Sequence, residues 1–448
     1  QLLAWIGATK YFPPTQYFRY LPHQLDYNYK ILSYFESLPK KPQDDPILEE
    51  AIRLTTRDFT VPKCYPYHIN ESIRFFPHPD KSAGLPYTTQ GMKQKRDVPP
   101  NTIKQWVHNL KYGIYGRCRT PCTAAARTQV SKEPGKFRLV WVYPAHMTYA
   151  EGMFAQPLIQ RYQHVSSTYG LWIQYVHGHA RILLNKKPKS YTWLSTDWKS
   201  FDSKVPAWLI RIAFSILREQ LDFSRYQIHG KPTHDHTLPR LWNRIVDYFI
   251  NTPIKLPSGE VLVKHQGVPS GSYFTNMIDS VVNALVMHYC LLTIGVKYST
   301  GARWFLGDDS LIAVKYQPGL LEKIESIAKE KFGFVLSDKS GIGETITFLG
   351  YELKNGRPYA NYDKLMAQLL LPASRDTSLN AFCSRAKALQ LSCFGTGCIE
   401  FTLEVQCFLE RVRRENLDPW VHKRDELYTK LSYLDLHNWP SLERVMLT

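Results

Sequence analysis

Two carboxylates stand side by side inside an otherwise almost continuously apolar run, Ala302 to Val314, "ARWFLGDDSLIAV". Ionised carboxylates are costly to take out of water unless something positive meets them. A β-hairpin reconciles the two demands. Trp304, Phe305 and Leu306 would form one buried arm and Leu311 to Val314 the other, with Gly307, Asp308 and Asp309 at a charged tip. An ordinary turn satisfies the same pattern, so a function has to come from what else the chain can bring to that tip.

Size and charge narrow the field. At 448 residues and 44% hydrophobic content, the chain can bury a large core. Length alone points to about three structural units. The 56 Lys and Arg against 39 Asp and Glu leave a formal charge of +17 and a pI near 9.3. That excess favours a polyanionic partner without choosing among RNA, DNA and an anionic membrane. The most apolar segment, Val281 to Val296, contains Asn283 and His288 and reads as a buried helix, so no membrane span is expected. No secretory leader is expected either. Cys118/Cys122 and Cys393/Cys398 lack a second ligand pair at suitable spacing. No structural zinc is therefore expected, and the eight cysteines are read as reduced.

Texture changes along the chain. Up to about Pro188 it is rich in Pro, Tyr and basic residues, which predicts loops and short strands around helices. Tyr191 to Ser195 then reads as a strand, Pro206 to Leu221 as an amphipathic helix, Ile254 to Lys264 as a hairpin and Phe274 to about Leu292 as a helix. A helix from Leu320 to Lys331 and a hairpin in "TITFLGYELKNGRP" follow. From about Tyr362 the pattern is mostly helical, with a basic-aromatic cluster in "FLERVRRENLDPW". This order is a mixed α/β core with a helical tail.

A second carrier of acids lies upstream in "LSTDWKSFD". If Asp197 ends a strand, it can project toward the hairpin tip. Carboxylates from separate strands suit a pair of Mg²⁺ ions, which prefer hard oxygen ligands; capping of a following helix is the competing role. Asp202, beyond the strand end, can accept a hydrogen bond from a sugar hydroxyl and so select ribonucleotides. In "HQGVPSGSYFTNMIDSVVN", Ser270 and Gly271 form a turn before a helix whose Thr275, Asp279 and Asn283 share one face, with Asn276 alongside. That polar stripe could hold nucleotide and template backbone, or simply face solvent. Arg127, Lys132, Lys136 and Arg138 supply cations for a triphosphate, the last two on one face of a strand. Lys339 could protonate the departing pyrophosphate, although a surface lysine beside Asp338 is the simpler reading.

Taken in chain order, Lys136/Arg138, Asp197/Asp202, Ser270-Gly271/Thr275, Asp308/Asp309 and Lys339 resemble the nucleotide-entry and palm motifs of viral RNA-dependent RNA polymerases. "SAGLPY", with Ser82, Gly84 and Pro86, is similar to the segment that guides template in that family, and "FLGY" at Phe348 to Tyr351 to its primer-supporting hairpin. "GVPSGSYFTN", "RTQ", "KFRLVWVYP" and "FLGYEL" resemble partitivirus replicases in particular.

The resemblance implies an α/β (α+β) right-hand fold with a palm built on a small antiparallel sheet. It divides the chain into an N-terminal segment and fingers (1–143), a first palm segment (144–208), a fingers insertion (209–262), the remaining palm (263–360) and a helical thumb (361–448). It further implies two-Mg²⁺ nucleotidyl transfer, with Mn²⁺ as a possible substitute, and primer-independent initiation on an RNA template. Asp197 and Asp308 are the implied metal ligands, with Asp309 an auxiliary ligand or electrostatic partner. Ribonucleoside triphosphates are the implied substrates and a capsid protein an implied partner, within a virus particle in the host cytoplasm. One departure stands out. Related polymerases place asparagine nine residues after the motif serine, where this chain has Asp279, and an ionised aspartate cannot donate the amide's hydrogen bond. Two rivals are a reverse transcriptase, whose hairpin usually begins Tyr-x-Asp-Asp, and a basic capsid-associated RNA-binding protein. The latter explains the charge but not the order of the acids.

Overall fold

The computed structural model describes residues 15–373, 376, 378–393 and 396–414. At its centre the β-branched and aromatic run after Tyr191 forms the strand Thr192–Thr196, whose Trp193, Leu194, Ser195 and Thr196 are buried. It pairs antiparallel with Asp309–Val314, Thr196 facing Ser310, and that strand pairs with Tyr298–Leu306. Gly341–Gly343 completes a four-stranded antiparallel sheet on the opposite edge. The acidic hairpin therefore exists, with one refinement. Leu306 pairs with Asp309, so only Gly307 and Asp308 form the turn, and Asp309 is the first residue of the return strand. Gly307 takes a φ of +63°, a left-handed conformation that glycine adopts without strain.

The apolar segment read as a buried helix is the helix Thr275–Ile294, with every residue from Met277 to Leu291 buried. It is long and apolar enough to cross a membrane by composition, yet its side chains pack inside the protein. Against it lies the helix Pro46–Phe59, joined through a buried ion cluster. Asp58 accepts from Arg303 Nη2 and Nε at 2.5 and 2.7 Å, and its Oδ2 lies 2.9 Å from His288 Nε2.

The other middle elements fall close to expectation: helices Ala207–Arg218 and Leu320–Phe332, and the hairpin Pro253–Lys255 with Val261–Val263. That hairpin joins Cys122–Thr128 and Phe137–Val142 in a second four-stranded sheet, so residues far apart in sequence share one layer. The "TITFLGYELKNGRP" hairpin gains a third strand, giving Ile346–Phe348, Tyr351–Lys354 and Arg357–Tyr359.

The first part of the chain carries helices among loops and short strands, as expected, but its pattern does not locate the 20-residue helix Ala145–His164, buried from Ala145 through Leu158. Its sequence has no polar face because no face of that stretch meets water, so the usual amphipathic period is missing. After Tyr362, helices Tyr362–Leu370, Leu379–Ser392 and Ile399–Arg414 pack around their own cluster, including Leu365, Phe382, Phe401 and Phe408. The basic-aromatic stretch beginning at Phe408 continues beyond Arg414, outside the described residues. Near the start of the chain, Phe18–Arg19 pairs with Val130–Ser131. The Arg19 guanidinium donates to the Thr128 carbonyl at 2.8 Å and, through two nitrogens, to the Leu371 carbonyl at 2.9 and 2.7 Å.

Candidate active site

Asp197 leaves the sheet one residue after Thr192–Thr196, and a neighbouring segment fixes it in place. Its Oδ2 accepts from Ser337 Oγ at 2.6 Å and Lys339 Nζ at 3.3 Å. Its carbonyl accepts from the Ser337 amide at 2.7 Å, and its own amide donates to Ser340 Oγ at 3.1 Å. The next strand brings Asp308 and Asp309 to the same end of the sheet. Burial, followed by repulsion from Asp197, pushes the Asp308 carboxyl up to about 6 despite Arg138 and Lys339 nearby. Burial, then Asp308 and Asp197, push Asp309 to about 7. Two carboxyls raised by burial and by neighbouring negative charge, with Asp197 beside them, form an oxygen donor set suited to a hard divalent cation, which would relieve that repulsion.

A second acid pair adjoins the first. Asp202 sits on the single helical turn Phe201–Lys204 and is raised to about 6 by burial and Asp308. Asp279, only 5% exposed, is raised well above the ordinary range by burial and by Asp202, with which it shares a hydrogen bond. A hydrogen bond between two carboxyls requires one proton between them. The Oδ1 of Asp279 has no protein partner.

The helix beneath holds the hairpin. Asn283 Nδ2 donates to the Gly307 and Asp309 carbonyls at 3.1 and 3.2 Å, while Oδ1 accepts from Trp198 Nε1 at 2.9 Å. Ser280 Oγ accepts from the Gly307 amide at 2.7 Å. Asn283 is thus committed to the fold of the turn, and Thr275 to its own helix start, donating to the Pro269 and Ser272 carbonyls. Asn276 is exposed; its Oδ1 accepts from Tyr169 at 2.6 Å. The polar stripe therefore divides, with Asp279 facing the acids and its neighbours serving the scaffold.

Ser270 Oγ donates to the Leu139 carbonyl at 2.8 Å and accepts from the Trp141 amide at 3.3 Å. A side chain at Gly271 would put its Cβ 1.7 Å from the Trp141 carbonyl oxygen, so only glycine allows this approach. On the same sheet, Arg127 and Arg138 are exposed cross-strand partners. Lys136 precedes the strand and pairs with Glu133 at 2.7 Å. From the helix Tyr362–Leu370, Lys364 faces the same cluster: burial lowers its ammonium, with Lys339, Arg138 and Lys136 adding to the effect and Asp309 opposing it. Gly84, at φ +68°, lies against Tyr143, whose carbonyl oxygen would stand 2.5 Å from an added Cβ. The Ser82 carbonyl accepts from Lys95 Nζ at 2.5 Å, and Pro86 precedes the short turn Tyr87–Gln90.

Sequence reasoning missed Ser337, Ser340 and Lys364. The two serines flank Lys339 within "FGFVLSDKSG" and were within reach of a closer reading of that motif, whereas nothing local distinguishes Lys364. Elsewhere, His68, Glu71 and His229 bring donor atoms within 4.8 Å of one another. The two imidazoles stack at 4.6 Å and 16°, so their in-plane lone pairs run side by side instead of converging on a common ion.

An antiparallel sheet that gathers three acids at adjacent strand ends, faced by arginines and lysines, has the character of a polymerase palm. The chain belongs to the viral RNA-dependent RNA polymerase family, whose profile, described as "Viral RNA-dependent RNA polymerase", matches residues 19–393. It is an RNA-directed RNA polymerase, a nucleotidyltransferase of right-hand fold. It is 28% identical over 408 residues to the RNA-directed RNA polymerase of Cryptosporidium parvum virus 1, covering 82% of this chain and 72% of that one. Over 153 residues it is 29% identical to the genome polyprotein of Ornithogalum mosaic virus, of which it spans only 12%. The crystal structure of the RNA-dependent RNA polymerase of a human picorbirnavirus superposes with a TM-score of 0.64 at 16% identity, covering 96% of this chain and 84% of the other, a likeness of fold. Family membership separates this chain from a reverse transcriptase and from a non-enzymatic RNA-binding protein. Members of the family use divalent metal ions.

Proposed function

We propose that this polymerase copies and transcribes the genome of a double-stranded RNA virus of the partitivirus kind, extending a 3′ hydroxyl with ribonucleotides and starting chains without a protein primer. The observation that carries the reading is the meeting of Asp197 with Lys339 at 3.3 Å beside the mutually repelling Asp308 and Asp309. Bound at Asp197, Asp308 and Asp309, two Mg²⁺ ions, or Mn²⁺ in their place, would supply activation of the 3′ hydroxyl and neutralise charge on the departing pyrophosphate. The chain's own residues do the rest. Arg127, Lys136 and Arg138 bind the triphosphate, and Lys339 gives a proton to the leaving pyrophosphate oxygen. Asp202 accepts a hydrogen bond from the ribose hydroxyl with Asp279 holding it in place, and Ser82, Gly84 and Pro86 guide the template.

In this reading residues 1–143 and 209–262 form the fingers, 144–208 and 263–360 the palm and 361–448 the thumb. The shared sheet of Cys122–Thr128, Phe137–Val142 and Pro253–Lys255 supports joining the two fingers segments. The separate apolar cluster after Tyr362 supports the thumb boundary. The enzyme works on an RNA template inside a virus particle in the host cytoplasm, with a capsid protein as partner. The test is synthesis on a defined single-stranded RNA without primer, comparing the parent with D308A and measuring product length and sugar preference. Preference for deoxyribonucleotides, or equal rates in the two proteins, would sink the assignment.

A further inference from the structure

The loop Gly267–Tyr273 links the elements that carry Asp202 and Asp279, the two acids assigned above to sugar recognition. At its start the Gly267 and Val268 amides donate to the Val205 and Asp202 carbonyls, both at 2.7 Å, so the loop is bonded directly to the turn that carries Asp202. At its end begins the helix Thr275–Ile294, which carries Asp279. Any shift at either end of the loop changes how these two carboxyls meet.

A fully buried ionisable side chain grips each end. Lys264, with no exposed surface, donates to the Phe249, Ile250 and Gly267 carbonyls at 2.5, 3.0 and 2.8 Å. Two of these acceptors are final carbonyls of the helix Thr237–Ile250, so the ammonium ties that helix end to the first residue of the loop. Glu151, also without exposed surface, lies midway along Ala145–His164. Ser272 Oγ stands 2.9 Å from both of its carboxyl oxygens, and the Tyr273 amide donates to Oε2 at 2.7 Å. Burial pushes the Glu151 carboxyl up to about 8. A neutral acid there can donate to Ser272 while accepting from Tyr273. Neither side chain reaches the acids, and packing alone would not call for a buried ionisable group at either place.

We propose that Glu151 and Lys264 are positioning residues that clamp the two ends of the loop Gly267–Tyr273, and thereby fix Asp202 against Asp279 for discrimination between ribose and deoxyribose. The proposal rests on the polymerase reading of the site and adds the devices that set its sugar selectivity. Loss of one clamp lets the acid pair drift and weakens the recognition of a single hydroxyl. The triphosphate cations and the metal-binding acids stay where they are.

Two readouts test this, one of which does not depend on activity. Hydrogen exchange of the peptide spanning 267–273 is compared among the parent, E151A, E151Q and S272A. E151A and S272A are expected to exchange faster there and E151Q to match the parent, because an amide can donate to Ser272 and accept from Tyr273 as the neutral acid does. S272A removes a contact from the loop side and leaves the buried carboxyl in its cavity, so the test survives a poorly folding E151A. In synthesis, the ratio of kcat/KM for ribo- over deoxyribonucleotides is expected to fall about tenfold in E151A, chiefly through KM for the ribonucleotide, and to recover in E151Q. Unchanged exchange in folded E151A and S272A, or an unchanged sugar ratio, would overturn the clamp. An inactive parent whose loop nevertheless loosens in E151A would count against the polymerase reading and leave the clamp supported.

Discussion

Lys339 Nζ stands 3.3 Å from Asp197 Oδ2, yet two-thirds of the lysine side chain, 66%, is open to solvent. An ammonium in that position is drawn to the acids and still free to follow a leaving group. K339M is expected to keep the fold and to lower kcat about a hundredfold with little change in nucleotide KM. Single-turnover kinetics check the split; a rise in KM alone would make Lys339 a binding residue.

Asp308 combines the hairpin turn with the strongest claim to a metal. Because it lies in a turn and its negative charge is repelled by its neighbours, D308A is expected to fold normally and melt no lower than the parent. RNA synthesis is expected to fall by at least about a thousandfold. Binding of Mn²⁺, followed by electron paramagnetic resonance, should weaken in parallel.

The Asp202–Asp279 hydrogen bond offers a separate check. An amide at 279 can donate to Asp202 without a shared proton, so D279N is expected to preserve the preference for ribonucleotides, whereas D279A should relax it. D202A is expected to reduce that preference about a hundredfold by removing the acceptor. Competing ribo- and deoxyribonucleotide incorporation on one template measures all three.

Beneath the hairpin, N283A leaves the Gly307 and Asp309 carbonyls and Trp198 Nε1 without their buried partner. A loss of about 1–3 kcal/mol in unfolding free energy is expected. Urea denaturation reads it directly, and a shift below a few tenths would show that water replaces the amide.

The cluster of Asp58, His288 and Arg303 should govern stability in acid. Burial lowers His288, although Asp58 opposes it. Burial would raise Asp58, but His288 and Arg303 prevail and hold it below its ordinary value. As pH falls below about 6.5 the unfolded chain takes up a histidine proton that the folded protein resists, so stability declines. A second decline is expected as pH drops below about 4 and on through the lowered Asp58 value. D58A strands a buried guanidinium and is expected to cost about 3–5 kcal/mol. Melting temperatures of parent and variant across that range provide the measurement.

What could be read from the chain was whatever short-range pattern specifies. Gly307 between two apolar arms located the hairpin, and the strand-like run from Tyr191 to Ser195 located its partner strand, each within a residue or two. The helix Ala145–His164 escaped because residues such as Glu151 and Gln156 are buried through tertiary partners that no periodicity records. Asn283 shows the same limit from the other side. Its spacing placed it on the right helix face, but its use in bracing the turn depends on contact with Gly307, 24 positions away. Lys364 comes to the acids from another helical layer, and nothing in its neighbours marks it.

The Arg19 bridge between the Thr128 and Leu371 carbonyls has a mechanical consequence. It joins the sheet bearing Arg127 and Arg138 to the end of the helix bearing Lys364. One guanidinium thus couples two groups of cations far apart in sequence, and a displacement of either is passed to the other through the hydrogen bonds of a single side chain.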